Sequence, residues 1–310
     1  MRIDGELAEA PPDRDSVVTL GVFDGVHRGH RHLIGSAVRE ARKSERLALV
    51  ATFSNHPRSV LRSDFTPSYI TGLDERIRLI RELGVDRVLP VTFDRELSEL
   101  PARDFVDLLQ RRLRMKILVV GPDFALGRGR EGDVTMLSSL SDEMKFSLVV
   151  VDLLEDADRP VRSTVVRRAL ADGDLTSVQS LLGRHFVLDG TVEEGVGRGK
   201  TLGFPTANLV VAPDRALPGD GIYATWARVG DERNMAATSV GTRPTFEETD
   251  RTIEAFLLDF DGDLYGRETR LEFVRRLRGD VKYDTVDALT EQMSKDVDET
   301  RRVLTEISTA

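Results

Sequence analysis

Over the first 180 positions, short apolar runs alternate with segments in which apolar residues recur at helical spacing. The runs 17–20, 47–53, 87–92, 116–121 and 147–151 are expected to be strands, since brief, nearly continuous apolar stretches suit strands covered on both faces. The helical segments between them have recognisable starts. Thr71 with Asp74 forms a capping pair, Pro101 sits in a first turn, and Asp133 precedes an apolar-periodic stretch. Alternating strand and helix predicts an α/β, Rossmann-like domain whose parallel sheet binds ligands beyond the carboxyl ends of its strands. Near Leu182 the pattern changes. Positions 174–182 read as a short helix closed by Gly183, and from His185 strands and glycine turns follow without a helix until Asp284. The runs 186–192, 222–229, 235–240, 252–260 and 269–274 predict a closed antiparallel β-barrel. A long terminal helix would pack on it through Val286, Leu289, Met293, Val297, Leu304 and Ile307. Two domains are expected, 1–183 and 184–310.

The first strand runs into Gly21-Val22-Phe23-Asp24-Gly25-Val26-His27-Arg28-Gly29-His30, a glycine-rich turn opening a helix. Gly21, Gly25 and Gly29 let backbone approach a ligand closely, and the free N–H groups of the helix start favour an anion. His27 and His30, three apart, can reach one oxygen-rich centre and donate hydrogen bonds as charge builds there. Three further stretches fall on the same rim: Thr52-Phe53-Ser54-Asn55-His56-Pro57, the segment from Gly121 through Pro122-Asp123-Phe124 to Gly129, and Arg162-Ser163-Thr164-Val165-Val166-Arg167. Ser163 and Thr164 at a helix start with Arg167 one turn on make a phosphate cradle.

Composition narrows the class. With 310 residues, 40% hydrophobic and 31% charged, the chain suits two cored globular domains. The absence of cysteine rules out disulfides and thiolate zinc sites, and His27 with His30 lacks an obvious third zinc ligand. No signal peptide or long apolar run is present, so a cytoplasmic protein is expected. A net charge of -9 argues against a broad nucleic-acid surface while allowing a local basic pocket for phosphates.

In the second half, Gly197-Arg198-Gly199-Lys200-Thr201-Leu202-Gly203-Phe204-Pro205-Thr206-Ala207-Asn208 is a glycine-rich loop with two cations, followed by Thr206 and Asn208, whose oxygens can reach a hard metal. Phosphate plus magnesium is the natural guest. The spacing is not that of a Walker A loop. Glu254 lies on an expected strand with apolar residues on both sides, so its carboxylate is expected toward an interior, where desolvation would raise its pKa. Such an acid is either a paired structural group or a base.

On these motifs nearly the whole chain resembles the bacterial bifunctional riboflavin kinase and FMN adenylyltransferase family, also called FAD synthetase. The ten residues from Gly21 to His30 match the family's histidine motif unaltered, and Gly203-Phe204-Pro205-Thr206-Ala207-Asn208 matches its kinase motif. Segments 218–223, 239–246 and 259–266 resemble its other blocks. Asn55 stands where the family usually has Pro, Leu126 where it has Phe, Arg162 where it has Ser, and Ser239 where it has Asn.

The resemblance implies riboflavin phosphorylation to FMN by ATP, then adenylylation of FMN to FAD with release of pyrophosphate. It implies His27, His30 and Arg167 as catalytic residues of the adenylyl-transfer centre in the amino-terminal domain, with Ser163 and Thr164 opposite them. Gly21, Phe23, Asp24, Gly25, His56, Phe124 and Gly127 would contact nucleotide or flavin, and Asp123 would lie near nucleotide or metal. In the barrel it implies Glu254 as base, Mg²⁺ at Thr206 and Asn208, and contacts from Gly197, Gly199, Lys200, Gly203, Phe204, Pro205 and Tyr223. Small molecules are the expected partners; homo-oligomerisation is left open, and neither nucleic acid nor membrane is expected. Two alternatives stand beside this: adenylyl transfer to another small phosphate or carboxylate, and a non-catalytic flavin carrier. Met293-Ser294-Lys295 resembles a class I aminoacyl-tRNA synthetase motif, but helical periodicity puts Met293 on the buried stripe, which makes the match a chance one.

Overall fold

Strict alternation on two central strands sets the first unit. On β1 (Ser16–Gly21), Val18 and Leu20 oppose Val17; on β2 (Leu47–Phe53), Leu47, Leu49, Ala51 and Phe53 oppose Ala48 and Val50. Both sets are buried, because helices cover both faces. With β3 (Arg87–Val91), β4 (Met115–Val120) and β7 (Ser147–Val150) these strands form one parallel sheet ordered β3-β2-β1-β4-β7. On the first face lie α1 (Arg2–Ala8), α6 (Ala102–Leu113) and α7 (Val134–Met144); on the other lie α2 (Arg28–Lys43) and α4 (Leu73–Arg81). The order reverses between β1 and β4, which is where such a sheet opens a crevice at its carboxyl edge. Shorter pieces decorate that edge: α3 (Pro57–Leu61), α5 (Arg95–Ser98), the hairpin β5 (Ala125–Leu126) with β6 (Gly132–Asp133), and the hairpin β8 (Glu155–Asp156) with β9 (Arg159–Pro160). The protein is described by a computed structural model over residues 1–9, 11–156, 159–195, 202–244 and 249–308.

The five expected strands of this unit are found with ends displaced by a residue or so. Asp133 caps α7 as expected, accepting the Met136 N–H at 2.9 Å. Thr71 does not cap α4. That helix starts after Gly72, and the Thr71 hydroxyl instead accepts the Gly25 N–H at 3.0 Å.

By packing, the chain divides into Met1–Ser163 and Thr164–Ala310. This packing division falls earlier in the chain than the boundary expected at 183, because α8 (Ser163–Ala171) and α9 (Leu175–Leu182) group with the barrel: α9 buries Leu175, Val178, Leu181 and Leu182 and packs on two barrel strands. Gly183 closes α9 in the left-handed region, at φ 69°. The barrel is closed and six-stranded, ordered β10 (Phe186–Glu193), β11 (Ala207–Val210), β14 (Thr249–Leu257), β13 (Glu232–Pro244), β12 (Gly221–Val229), β15 (Glu268–Arg278). Among the described residues its buried polar side chains include a Thr225 and Thr238 hydroxyl pair 2.7 Å apart and Thr269. The terminal helix α10 (Val286–Ser308) packs through Val303 and Leu304 on Ala224 and Val274. Val286 and Ile307, expected on that stripe, are exposed, Ile307 at a surface pocket beside Val274 and Arg275.

Candidate active sites

The first site grows from the turn between β1 and α2. His27 is the N-cap of α2: its Nδ1 accepts the His30 N–H at 3.2 Å, so in the neutral ring the proton sits on Nε2. The His27 and His30 rings stack with centroids 3.6 Å apart, and Phe23 meets His30 edge-on at 5.3 Å. The two imidazoles therefore form one layered plate at a helix start whose N–H groups and dipole favour an anion.

The turn is held under backbone strain. Phe23 and Val26 adopt left-handed φ of 50° and 40°, which costs on the order of 1–3 kcal/mol each and persists only where the surroundings over-determine it. Asp24 supplies that determination. It is 2% exposed, and its carboxylate accepts the Ile70 N–H at 2.9 Å and the Thr71 N–H at 3.1 Å. Arg76, 1% exposed on α4, donates from one nitrogen to the carbonyls of Val22 at 2.9 Å and Phe53 at 2.7 Å, tying the ends of β1 and β2 together. Asp24, expected to contact ligand, braces the turn through these bonds. Arg76 was missed, although a cation in phase with Leu79 and Ile80 on an apolar helix stripe was the available signal.

The other rim stretches converge on this turn in different ways. Asn55 exchanges two hydrogen bonds with the Phe93 backbone, at 2.8 and 2.9 Å, which the usual proline could not make. His56 caps α3 through Nδ1 and packs on Phe65. Phe124 packs on the main core and Gly127, at φ 78°, passes so close to Ala102 that a Cβ would lie 2.6 Å from its backbone nitrogen. Asp123 is paired with Arg162, 2.6 Å apart, and Arg130 donates to the Asp123 carbonyl at 3.1 Å. The chain at 161–163 lies against the histidine turn: the Ser163 hydroxyl donates to the Asp24 carbonyl at 2.9 Å, and a Cβ on Gly29 would lie 2.9 Å from the Val161 carbonyl oxygen. A Cβ on Gly25, at φ 82°, would press on Ile70, and one on Gly21 on the Phe23 ring. Thr164 and Arg167 occupy the first turns of α8.

The second site lies on the outer wall of the barrel. Strand register places one residue from each of five strands in a row, Asn208 beside Glu254, Ser239, Ile222 and Arg278. Four of these, all but Asn208, line a cavity of about 250 Å³, with Phe204, Thr206 and Phe256 on the barrel side and Leu289, Met293 and Val297 on α10. Glu254 is half-buried here, not in the interior, because on β14 Ile253, Ala255 and Leu257 take the core side and leave Glu254 and Phe256 facing outward. The Thr206 hydroxyl donates to Glu254 Oε2 at 3.4 Å. Thr206, Asn208 and Glu254 thus present oxygens on one face, a donor set that fits a hard divalent cation completed by phosphate and water.

Arg278 closes the far end of the row. Its Nε and one terminal nitrogen donate to the two Asp296 oxygens, at 2.9 and 2.7 Å, and this forked pair fastens α10 to β15 and raises the arginine's pKa further. Asp296 is 7% exposed, a carboxylate inside the helix stripe that an apolar pattern cannot reveal. Met293 faces the cavity, while Lys295 pairs with Glu291 on the exposed side, as ordinary helix-surface residues do.

Tyr223, expected at the flavin, is wholly buried on the core side of β12 against Phe273. Its hydroxyl donates to the Gly219 carbonyl, and burial pushes its pKa up. It shapes the 218–221 turn, which Arg251 also holds through the Pro218 carbonyl and the Asp220 carboxylate, each at 2.6 Å. Gly203 has a left-handed φ of 84°, and Phe204 meets Phe256 edge-on at 5.4 Å. Gly197, Gly199 and Lys200 lie outside the described residues.

Comparison with known proteins follows the same division. The FAD synthetase family matches residues 9–165 and the riboflavin kinase family residues 182–304. The bifunctional riboflavin kinase/FMN adenylyltransferase of Escherichia coli strain K12 is 38% identical over 94% of this chain and 93% of its own length. Those of Listeria monocytogenes and Bacillus subtilis are 36% and 34% identical over 93% of this chain and 92% of theirs. A solved structure from Streptococcus pneumoniae, named a macrolide-efflux protein, superposes with a TM-score of 0.88 at 30% identity, covering 97% of both chains. Among the described residues no helix is long and apolar enough to cross a membrane. On the strength of both family matches and of relatives similar along nearly their whole length, this chain belongs to the bifunctional riboflavin kinase/FMN adenylyltransferase family.

Proposed function

We infer that this chain makes FAD in two steps: it phosphorylates riboflavin to FMN with ATP, and then joins FMN to the adenylyl group of a second ATP, releasing pyrophosphate. The observation that carries this is that two family matches, FAD synthetase over residues 9–165 and riboflavin kinase over residues 182–304, fall almost wholly on different packed units.

In the barrel, Glu254 takes the proton of the riboflavin 5'-hydroxyl as that oxygen attacks the γ-phosphorus of ATP, whose bond to the bridging oxygen breaks to release ADP. What supports this role is the half-buried position of Glu254 on the cavity wall, beside the Thr206 hydroxyl. Thr206 and Asn208 would hold Mg²⁺, which when bound neutralises phosphate charge. The apolar wall from Phe204, Phe256, Leu289 and Met293 suits a flat aromatic ring system and excludes water from it. In the first unit, the FMN phosphate attacks the α-phosphorus of ATP. His27 and His30 donate to the phosphate oxygens as charge accumulates, helped by the N–H groups at the start of α2. Ser163, Thr164 and Arg167 hold the remaining phosphates, and Gly21, Gly25 and His56 border the nucleotide. Lys200 with Gly197 and Gly199 serves the phosphates in the barrel.

The direct test incubates the purified chain with riboflavin, ATP and Mg²⁺ and separates the flavins by chromatography over time. FMN should rise first and FAD follow at its expense. Accumulation of FMN without FAD would remove the adenylyl-transfer half, and unchanged riboflavin would leave a flavin carrier.

A further inference from the structure

The Arg162 side chain is committed to a carboxylate on the rim of the first site, and that pairing has no structural task large enough to explain it. Its guanidinium meets Asp123 at 2.6 Å with the two side chains 49% and 62% exposed, so water and salt screen the contact and little stability depends on it. The backbone beside Arg162 is by contrast pinned: Val161 presses on Gly29 and Ser163 bonds to Asp24, both within the histidine turn. The guanidinium itself is held by this exposed pair. Asp123 follows β4, the neighbour of β1 in the sheet, so the pair sits at the crevice mouth where the two connections diverge. A planar guanidinium there, on a segment whose neighbours Val161 and Ser163 touch the histidine turn, has the geometry to take a phosphate in a fork.

We propose that Asp123 is an internal placeholder and that Arg162 exchanges it for a substrate phosphate when the first site fills, which makes Arg162 a substrate-binding residue and Asp123 its competitor. This rests on the adenylyltransferase reading of the first unit. A carboxylate carries one charge and a phosphate monoester nearly two, so the exchange runs toward the substrate once it arrives. In the free site the same carboxylate keeps the guanidinium extended over the rim and discourages weaker anions.

A brace and a placeholder predict opposite signs. If the pair were a brace, breaking it from either side would harm the site alike. If Asp123 competes, Arg162→Ser should raise KM by about tenfold or more, the worth of a charged hydrogen bond, while Asp123→Asn should lower the same KM by about two- to fivefold, the worth of an exposed ion pair. The measurement is FAD formation by the full chain from supplied FMN and ATP, with KM taken for each and melting temperature recorded for every variant. A change confined to KM for FMN assigns the FMN phosphate, and one confined to KM for ATP assigns the nucleotide. Arg162→Lys should recover part of the loss, since the charge survives and the fork does not. Either of two results overturns the exchange: both Arg162→Ser and Asp123→Asn raising KM, or neither moving it by more than about twofold. Absence of FAD formation by the parent chain would be a different failure, that of the adenylyltransferase reading itself.

Discussion

A Cβ added to Gly29 would lie 2.9 Å from the carbonyl oxygen of Val161 and 3.2 Å from the His27 ring. Neither the first turn of α2 nor the Val161 backbone can yield without moving the histidine plate. Gly29→Ala should gain roughly 1 kcal/mol of helix propensity and still lose activity, because misplacing a reacting group by a fraction of an ångström costs on the order of tenfold to 100-fold. Rates of FMN to FAD conversion together with melting temperatures check this. A variant as active as the parent would show that the 161–163 segment need not press on the turn.

His30→Ala removes one leaf of the stacked pair. FAD formation from FMN should fall by about 100-fold or more, the usual worth of a donor aimed at developing oxyanion charge, while riboflavin phosphorylation continues. Equal loss of both activities would point to one shared nucleotide site.

Glu254→Gln keeps an oxygen to accept from Thr206 but cannot take a proton. Riboflavin phosphorylation should fall by roughly 100-fold or more, with supplied FMN still converted to FAD. A loss below about tenfold would demote Glu254 to positioning, since a loose phosphoryl-transfer transition state can depend mainly on alignment and metal.

Asp174 gives a test by pH. It caps α9, and its carboxyl is held below the usual carboxylate range by the Ser177 hydroxyl and then by the Ser177 N–H, outweighing the opposing effect of burial. A folded pKa below the unfolded value of about 3.9 contributes stability that is present above that pH and lost as pH falls through the folded value. The melting-temperature gap between the parent and Asp174→Ala should hold steady from about pH 5 to 7 and narrow below about pH 4. A gap that widens in acid would contradict the shift.

Much of this molecule is legible in the sequence where a periodic signal is long enough. The strand at 47–53 and the cap at Asp133 need no tertiary information, because apolar continuity and one side-chain hydrogen bond decide them locally. What escapes depends on partners distant in sequence. Thr71 has a helix-capping pattern but is claimed by Asp24 and Gly25, 47 and 46 residues away. Strand β11 has only four residues and exists because β10 and β14 flank it. Glu254 is expected toward an interior from its apolar neighbours, yet its face follows from barrel closure, which leaves Ile253 and Ala255 inside and Glu254 on the outer wall. Asp296 becomes intelligible only with Arg278 beside it.

The single row from Asn208 through Glu254 and Ser239 to Arg278 carries an evolutionary implication. Side chains on a strand alternate, so positions that can meet a ligand are interleaved with those that keep the barrel shut, and almost no residue serves both. Preference can drift by exchange on the outer row, as the Ser239 difference from the usual Asn illustrates, while Val240, Ile253 and Ala255 go on holding the barrel closed. Because the sheet has no free edge, its register cannot slide to absorb such changes, and each exchange remains local. A scaffold of this kind can be retuned one contact at a time without first being made more stable.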